Sequence, residues 1–218
     1  MISASIMCGD ALNLGDDIAA LRQCGAEYLH CDIMDGHFVP NLMLSTAQIA
    51  AFKAESGMKL DIHMMTEQPE NKLAWFAVSS GDLVSIHYES TPHVHRAIEM
   101  VKKTGATAAL ALNPSTPLEC ALELLPDIGM LLVMTVNPGY ASQVCVPQTI
   151  EKIRRARCML DDRGYGDIWI EADGNCSFRN IGRMSQAGAN VFVLGSSSLF
   201  DKTNTIAYNA QKARALMV

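Results

Sequence analysis

The most constraining feature of this 218-residue chain is an alternation of two sequence patterns that repeats eight times. Short, mostly apolar runs suited to β-strands fall at 2–7, 27–34, 58–65, 82–88, 106–112, 129–136, 167–172 and 190–195. Amphipathic stretches lie between them at 14–24, 45–56, 69–79, 93–104, 116–124, 147–163 and 177–187, and a last one at 203–217 closes the chain. Pro69, Thr116 and Ser177 are candidate helix-start residues. Gly25, Gly57, Gly81, Gly105 and Gly188 each follow a helical stretch and precede a strand, where a left-handed cap is expected. Runs such as ALAL (109–112), LLVMTV (131–136) and VFVLG (191–195) are apolar on both faces, as in a parallel sheet covered on both sides. Eight such units in this length predict an α/β fold, a single-domain (β/α)8 TIM barrel over 1–218. An open doubly wound sheet is the competing arrangement.

Composition narrows the partners. Charged residues make up 18% of the chain against 49% hydrophobic, which fits strands buried on both faces or surface hidden in an oligomer. Net charge is −6 and no basic run or basic–aromatic interleaving occurs, so nucleic acid is not an expected partner. Seven scattered cysteines, an odd number without a Cys-x-x-Cys pair, fit reduced thiols in a cytoplasmic protein. The N-terminus lacks the pattern of a signal peptide, and no apolar run approaches the roughly 18 residues of a membrane helix.

In a barrel the C-terminal strand ends share one mouth, and the chemically unusual residues fall there. His30 and Asp32, two apart on a strand, point to the same side. With His63 and Asp173 from two other strand ends they form a candidate site for one divalent metal ion, two nitrogens and two oxygens suiting Zn²⁺, with Fe²⁺, Mn²⁺ or Co²⁺ as substitutes. Asp61 and Glu171 share the parity of His63 and Asp173 but lie two residues deeper, and read as supporting or barrel-layer groups. Met34, Met65 and Met134 near the same rim are either core filler or an apolar collar that excludes water. Ser5 ends the first strand. Three Gly-bearing turns, 137–143, 173–175 and 194–198, could offer backbone N–H groups to a phosphate, although each alone is equally a plain tight turn. His37 follows the second strand near the mouth; His87, His93 and His95 show no partner spacing.

Together HCDIMDGHFVPN (30–41), LDIHMM (60–65), ALNPSTPLE (111–119), VMTVNPGYASQ (133–143) and IEADGN (170–175) resemble the ribulose-phosphate 3-epimerase family, in order, over nearly the whole chain. The resemblance implies a metal-dependent barrel that inverts C3 of a ketose phosphate through a cis-enediolate, interconverting D-ribulose 5-phosphate and D-xylulose 5-phosphate. It implies His30, Asp32, His63 and Asp173 as metal ligands, with Asp32 and Asp173 also the acid/base pair. Ser5, Met34, Met65 and Met134 match positions lining the substrate. Gly139, Tyr140, Ala141, Ser142, Gln143, Gly174, Asn175, Gly195 and Ser196 match the phosphate-binding segments. Family members are often homo-oligomers, dimers or hexamers.

Two departures stand out. GYASQ replaces the common GFGGQ, and Gly174-Asn175 replaces Gly-Gly, so side chains there are expected to tighten the phosphate loops or shift the anion outward. SIMCGD and the segment from DGNCS to VLGSSSLF are closer to the D-allulose-6-phosphate 3-epimerase branch, which makes D-allulose 6-phosphate and D-fructose 6-phosphate the alternative substrate pair. A phosphate-binding decarboxylase would need a strand-end Lys, which LDIH and EADG lack. A sugar-phosphate-binding barrel without catalysis would not need both aspartates beside both histidines.

Overall fold

Strand alternation sorts the barrel's side chains into two environments. A computed structural model describes residues 1–217. It contains β1 (Ile2–Ser5), β2 (Tyr28–Asp35), β3 (Leu42–Met43), β4 (Lys59–Met65), β5 (Leu83–His87), β6 (Thr107–Leu112), β7 (Met130–Met134), β8 (Trp169–Asp173) and β9 (Val191–Leu194). All but β3 are parallel to their neighbours, and β1 pairs with both β2 and β9, which closes an eight-stranded barrel. Helices α1 (Leu14–Gln23), α2 (Thr46–Glu55), α3 (Val94–Lys103), α4 (Gln148–Asp162), α5 (Phe178–Gln186) and α6 (Ile206–Arg214) wrap it. The outward residues of the strands, among them Leu29, Ile62, Ile86, Leu131, Ile170 and Phe192, join helix residues such as Leu21, Ile49, Ile98 and Ile153 in one buried core. No helix among the described residues is long and apolar enough to cross a membrane.

The inward residues change character along the barrel axis. Near the N-terminal ends of the strands Tyr28, Leu83, Ala109, Met130 and Val191 form an apolar plug. Above it the interior turns polar, with Ser3, His30, Asp61 and Glu171 all fully buried. Ionisable groups in such a place are costly unless paired.

Two expected helices are not α-helical. The stretch 69–79 becomes two short 3₁₀ turns, Pro69–Asn71 and Leu73–Trp75, in which only Pro69 and Leu73 are buried. That apolar face is too narrow to hold a helix against the barrel. The stretch 116–124 is a 3₁₀ segment, Leu118–Asp127, interrupted by Pro126, which lacks the N–H an α-helix needs there. Thr116 therefore caps nothing, and its hydroxyl donates to Glu89 instead. Ser177 precedes α5 but makes no side-chain cap, whereas Ser45 and Gln48 form a reciprocal capping box on α2. The hairpin strand β3, antiparallel to the end of β2, has no counterpart among the expected elements.

Asp82 shows how a buried charge is accommodated away from the mouth. Its carboxylate is fully buried and accepts Lys53 Nζ at 2.6 and 2.7 Å, Leu60 N at 3.0 Å and Ser79 N at 2.9 Å. It thus ties α2 to the starts of β4 and β5. Asp82→Ala leaves these donors unanswered and is expected to lower unfolding stability by about 3 kcal/mol in urea denaturation; a loss below about 1 kcal/mol would show that the knot contributes little.

Candidate active site

Register brings the candidate ligands together. Asp32 of β2 stands beside His63 of β4, and His30 beside Asp61 one step deeper, while Asp173 ends β8. One donor atom from each of His30, Asp32, His63 and Asp173 lies within 4.8 Å of all the others. His30 Nε2 is 3.4 Å from Asp32 Oδ1 and 3.8 Å from Asp173 Oδ2. His63 Nδ1 is 3.4 and 3.3 Å from the same two oxygens. A tetrahedral shell with bonds of about 2.0–2.1 Å has edges of about 3.3–3.4 Å, so these separations fit a divalent metal. Both imidazole nitrogens are buried without a hydrogen-bond partner. Two unpartnered ring nitrogens turned toward two carboxylates form a set that a bound cation would satisfy.

The groups beneath set the electrostatics. Asp61 Oδ2 takes 2.6 Å hydrogen bonds from Ser3 Oγ and His30 Nδ1. That contact puts the His30 proton on Nδ1 and leaves Nε2 to face the cluster. Burial alone would lower the His30 pKa, but the Asp61 and Asp32 carboxylates hold it well above the usual imidazole value. Burial works against ionised Asp32, yet His30 and His63 keep its carboxyl below the ordinary carboxylate range. Glu171 is pushed the other way, far up, first by burial and then by the charge of Asp61. His87, absent from the sequence-derived site, lies behind His63 with its Nε2 at 2.8 Å from His63 Nε2. Burial brings its pKa down to about 4. Nothing in the local sequence marks His87, since its partner is on the adjacent strand.

Above the cluster opens a cleft of about 590 Å³. Ser5, Met34, Met65 and Met134 line it close to Asp32 and Asp173, and Ser5 Oγ donates to Asp32 Oδ2 at 3.3 Å. Gly139, Tyr140, Ala141, Ser142 and Gln143 line one side, and Gly174, Asn175, Gly195 and Ser196 another. Asn137, from the expected turn 137–143, also lines it, and so do Met7 and Cys8, which were not expected. His37 is exposed and is not part of the lining. No lining residue is Lys or Arg. No helix begins at the turn after β9, so an anion there would meet backbone N–H groups and hydroxyls.

The departures from the glycine pattern brace these loops. Ser142 and Asn175 both hold positive φ, 64° and 46°, where glycine is usual. Ser142 Oγ meets Ser196 Oγ at 3.2 Å, and Asn175 Nδ2 donates to Gln143 O at 2.6 Å. The loop after β2 is latched across the mouth by Asn41 Nδ2 to Gly139 O, 2.8 Å, and by Tyr140 OH to Pro40 O. Gly174 has φ 110°, and a Cβ there would come within 2.5 Å of Val136 Cγ2 and 2.9 Å of Val136 N, so the turn after Asp173 admits only glycine.

Comparison with known proteins agrees with this geometry. The profile of the ribulose-phosphate 3 epimerase family matches residues 1–200. The ribulose-phosphate 3-epimerase of Bacillus subtilis is 36% identical over 196 residues, 90% of each chain. That of a Synechocystis species is 38% identical over 199 residues, 90% of this chain and 86% of its own. Among solved structures, KGPDC from Streptococcus mutans superposes with a TM-score of 0.67 at 11% identity, over 99% of this chain and 96% of its own. The 3-hexulose-6-phosphate synthase of Salmonella typhimurium gives 0.64 at 13%, over 99% and 97%. These two share the fold. A closed parallel barrel with an ionisable cluster at the C-terminal strand ends, and epimerases for relatives, defines a barrel isomerase. Within that class the chain belongs to the ribulose-phosphate 3-epimerase family, whose enzymes act on small phosphorylated sugars.

The loop after β2 also has a pH-sensitive anchor. Asp35 accepts His37 N at 2.9 Å, Phe38 N at 3.0 Å, Glu67 N at 3.0 Å and Lys72 Nζ at 2.7 Å. Against the effect of burial, these donors, Lys72 first, hold its pKa at about 2. Because the folded value lies below the ordinary aspartate value of about 3.9, the stabilisation is complete above that value and drains away as pH falls toward 2. Between about pH 4 and 2 the urea midpoint of the parent is expected to fall more steeply than that of Asp35→Asn; parallel curves would exclude Asp35 as the anchor.

Proposed function

We propose that this protein interconverts D-ribulose 5-phosphate and D-xylulose 5-phosphate by proton transfer at C3, with Asp32 and Asp173 as the acid/base pair. The observation that carries the reading is the placement of these two carboxylates. Each turns one oxygen to the shared donor cluster, and both line the cleft. A proton next to a carbonyl leaves slowly unless a base is positioned and the developing charge is stabilised. His30, Asp32, His63 and Asp173 would hold one divalent ion, Zn²⁺ before Fe²⁺, Mn²⁺ or Co²⁺ on the donor set. When bound, such an ion supplies Lewis-acid charge beside the ketose carbonyl.

One aspartate takes the C3 proton and the other, protonated, returns one to the opposite face, giving a cis-enediolate between the two transfers. The pair must differ by one proton at each stage, and titrates as a unit. Ser5 steadies Asp32 through its hydroxyl. Met34, Met65 and Met134 exclude water without offering a competing proton. The segments Gly139–Gln143, Gly174–Asn175 and Gly195–Ser196 would hold the phosphate with N–H groups and hydroxyls. Relatives named for ribulose phosphate, at 34–38% identity, favour the pentulose over the hexulose substrate.

Asp32→Asn and Asp173→Asn are each expected to lower kcat by about 10³-fold or more, read as C3-proton exchange in D₂O; exchange near the parent rate in either variant would overturn the acid/base assignment. Chelator dialysis should abolish exchange and added Zn²⁺ restore it. A kcat/KM favouring D-allulose 6-phosphate over D-ribulose 5-phosphate would reverse the substrate order.

A further inference from the structure

We infer that His87, with Glu89 behind it, is a positioning residue for the metal centre, holding His63 in the tautomer whose Nδ1 is free to ligate. The inference rests on the metal-site reading above. His63 and His87 meet with Nε2 atoms 2.8 Å apart and ring planes within 22°, centroids 5.0 Å apart, so the two nitrogens face each other edge to edge. Only one proton fits between two nitrogens at that distance.

Two assignments exist. If His87 donated that proton, a neutral His87 would turn a bare Nδ1 lone pair toward the Glu89 carboxylate, 3.1 Å away. His63 would then carry its own proton on Nδ1, aimed at Asp32 and Asp173 and blocking a metal. If His63 donates, every contact is answered: His63 Nε2–H to His87 Nε2, and His87 Nδ1–H to Glu89 Oε2. The metal-facing Nδ1 of His63 is left with a lone pair, and this atom is buried without a hydrogen-bond partner.

Glu89 is itself held in place. Its Oε1 accepts Asn113 N at 2.8 Å and the Thr116 hydroxyl. Lys152 of α4 clamps the same turn, Nζ lying 2.6 Å from both Asn113 O and Thr116 O. Phe38, on the loop after β2, packs against the other side of His87, ring centroids 4.7 Å apart. The chain of hydrogen bonds thus runs from His63 through two further strand ends to a helix, and mirrors the role of Asp61 toward His30.

The test uses the full-length protein and Zn²⁺ alone, with affinity measured by competition with a chromogenic chelator. His87→Leu keeps an apolar volume but no acceptor, and is expected to weaken Zn²⁺ binding about 10–100-fold. His87→Gln offers an amide oxygen to His63 Nε2–H and is expected to recover most of that loss. Nitrogen-15 NMR of the Zn²⁺-loaded parent should show His63 protonated at Nε2 and metal-bound at Nδ1, and His87 protonated at Nδ1. Parent-like affinity in His87→Leu, or a His87 proton found on Nε2, overturns the inference while leaving the metal site standing. A parent that binds no Zn²⁺ overturns both. If His87→Leu does not fold, the NMR tautomers decide alone.

Discussion

The contact between His30 and Asp61 organises this barrel. A fully buried imidazole hydrogen-bonded at 2.6 Å to a fully buried carboxylate makes the interior a place for ions, where barrels of this kind are ordinarily filled by branched apolar side chains. Such a pair is tolerated only when its remaining lone pairs and protons are answered. Ser3 answers Asp61 from below, while His30 Nε2, unpartnered, faces the cluster with Asp32, His63 and Asp173 above, where a bound cation would answer it. The apolar plug beneath closes this polar column at the far end of the barrel.

The mouth depends on loop-to-loop contacts more than on the strands. Asn41 and Tyr140 join the loop after β2 to the loop after β7, and Asn175 and Ser142 join that loop to the turns after β8 and β9. These segments come from distant parts of the chain, and each contact replaces loop freedom with a specific hydrogen bond. The left-handed Ser142 and Asn175 are the cost of that bracing, modest for Asn and greater for Ser.

Much of this was legible in the sequence, for physical reasons. Alternating apolar runs and helical periods report burial, so the eight barrel strands and six of the eight expected helical stretches were readable. The helices that failed did so for local causes: a single narrow apolar face at 69–79 and Pro126 just beyond 116–124. His30 and Asp32 were readable because strand period 2 puts them on one side, and the barrel rule extended this to His63 and Asp173. His87 and Glu89 were not, because their roles arise from register between β4 and β5 and from a turn after β6. Hairpin strand β3 was not legible, since two residues carry no periodic signal.

A cleft without Lys or Arg, where an anion at the glycine-bearing turns would meet only backbone and hydroxyl dipoles, has a thermodynamic consequence in a chain of net charge −6. Fixed dipoles act over a short range, so an anion held as proposed would be gripped only once seated and would gain little attraction on approach. Added salt should then disturb binding less than it would at a lysine-lined pocket, where long-range attraction is screened. Two sugars that differ only in the hand of one carbon would be held by the same anchor with similar grip. If it holds the phosphate as proposed, such an anchor would keep the ratio of the two bound sugars close to their ratio in solution and let either be released after the proton has moved.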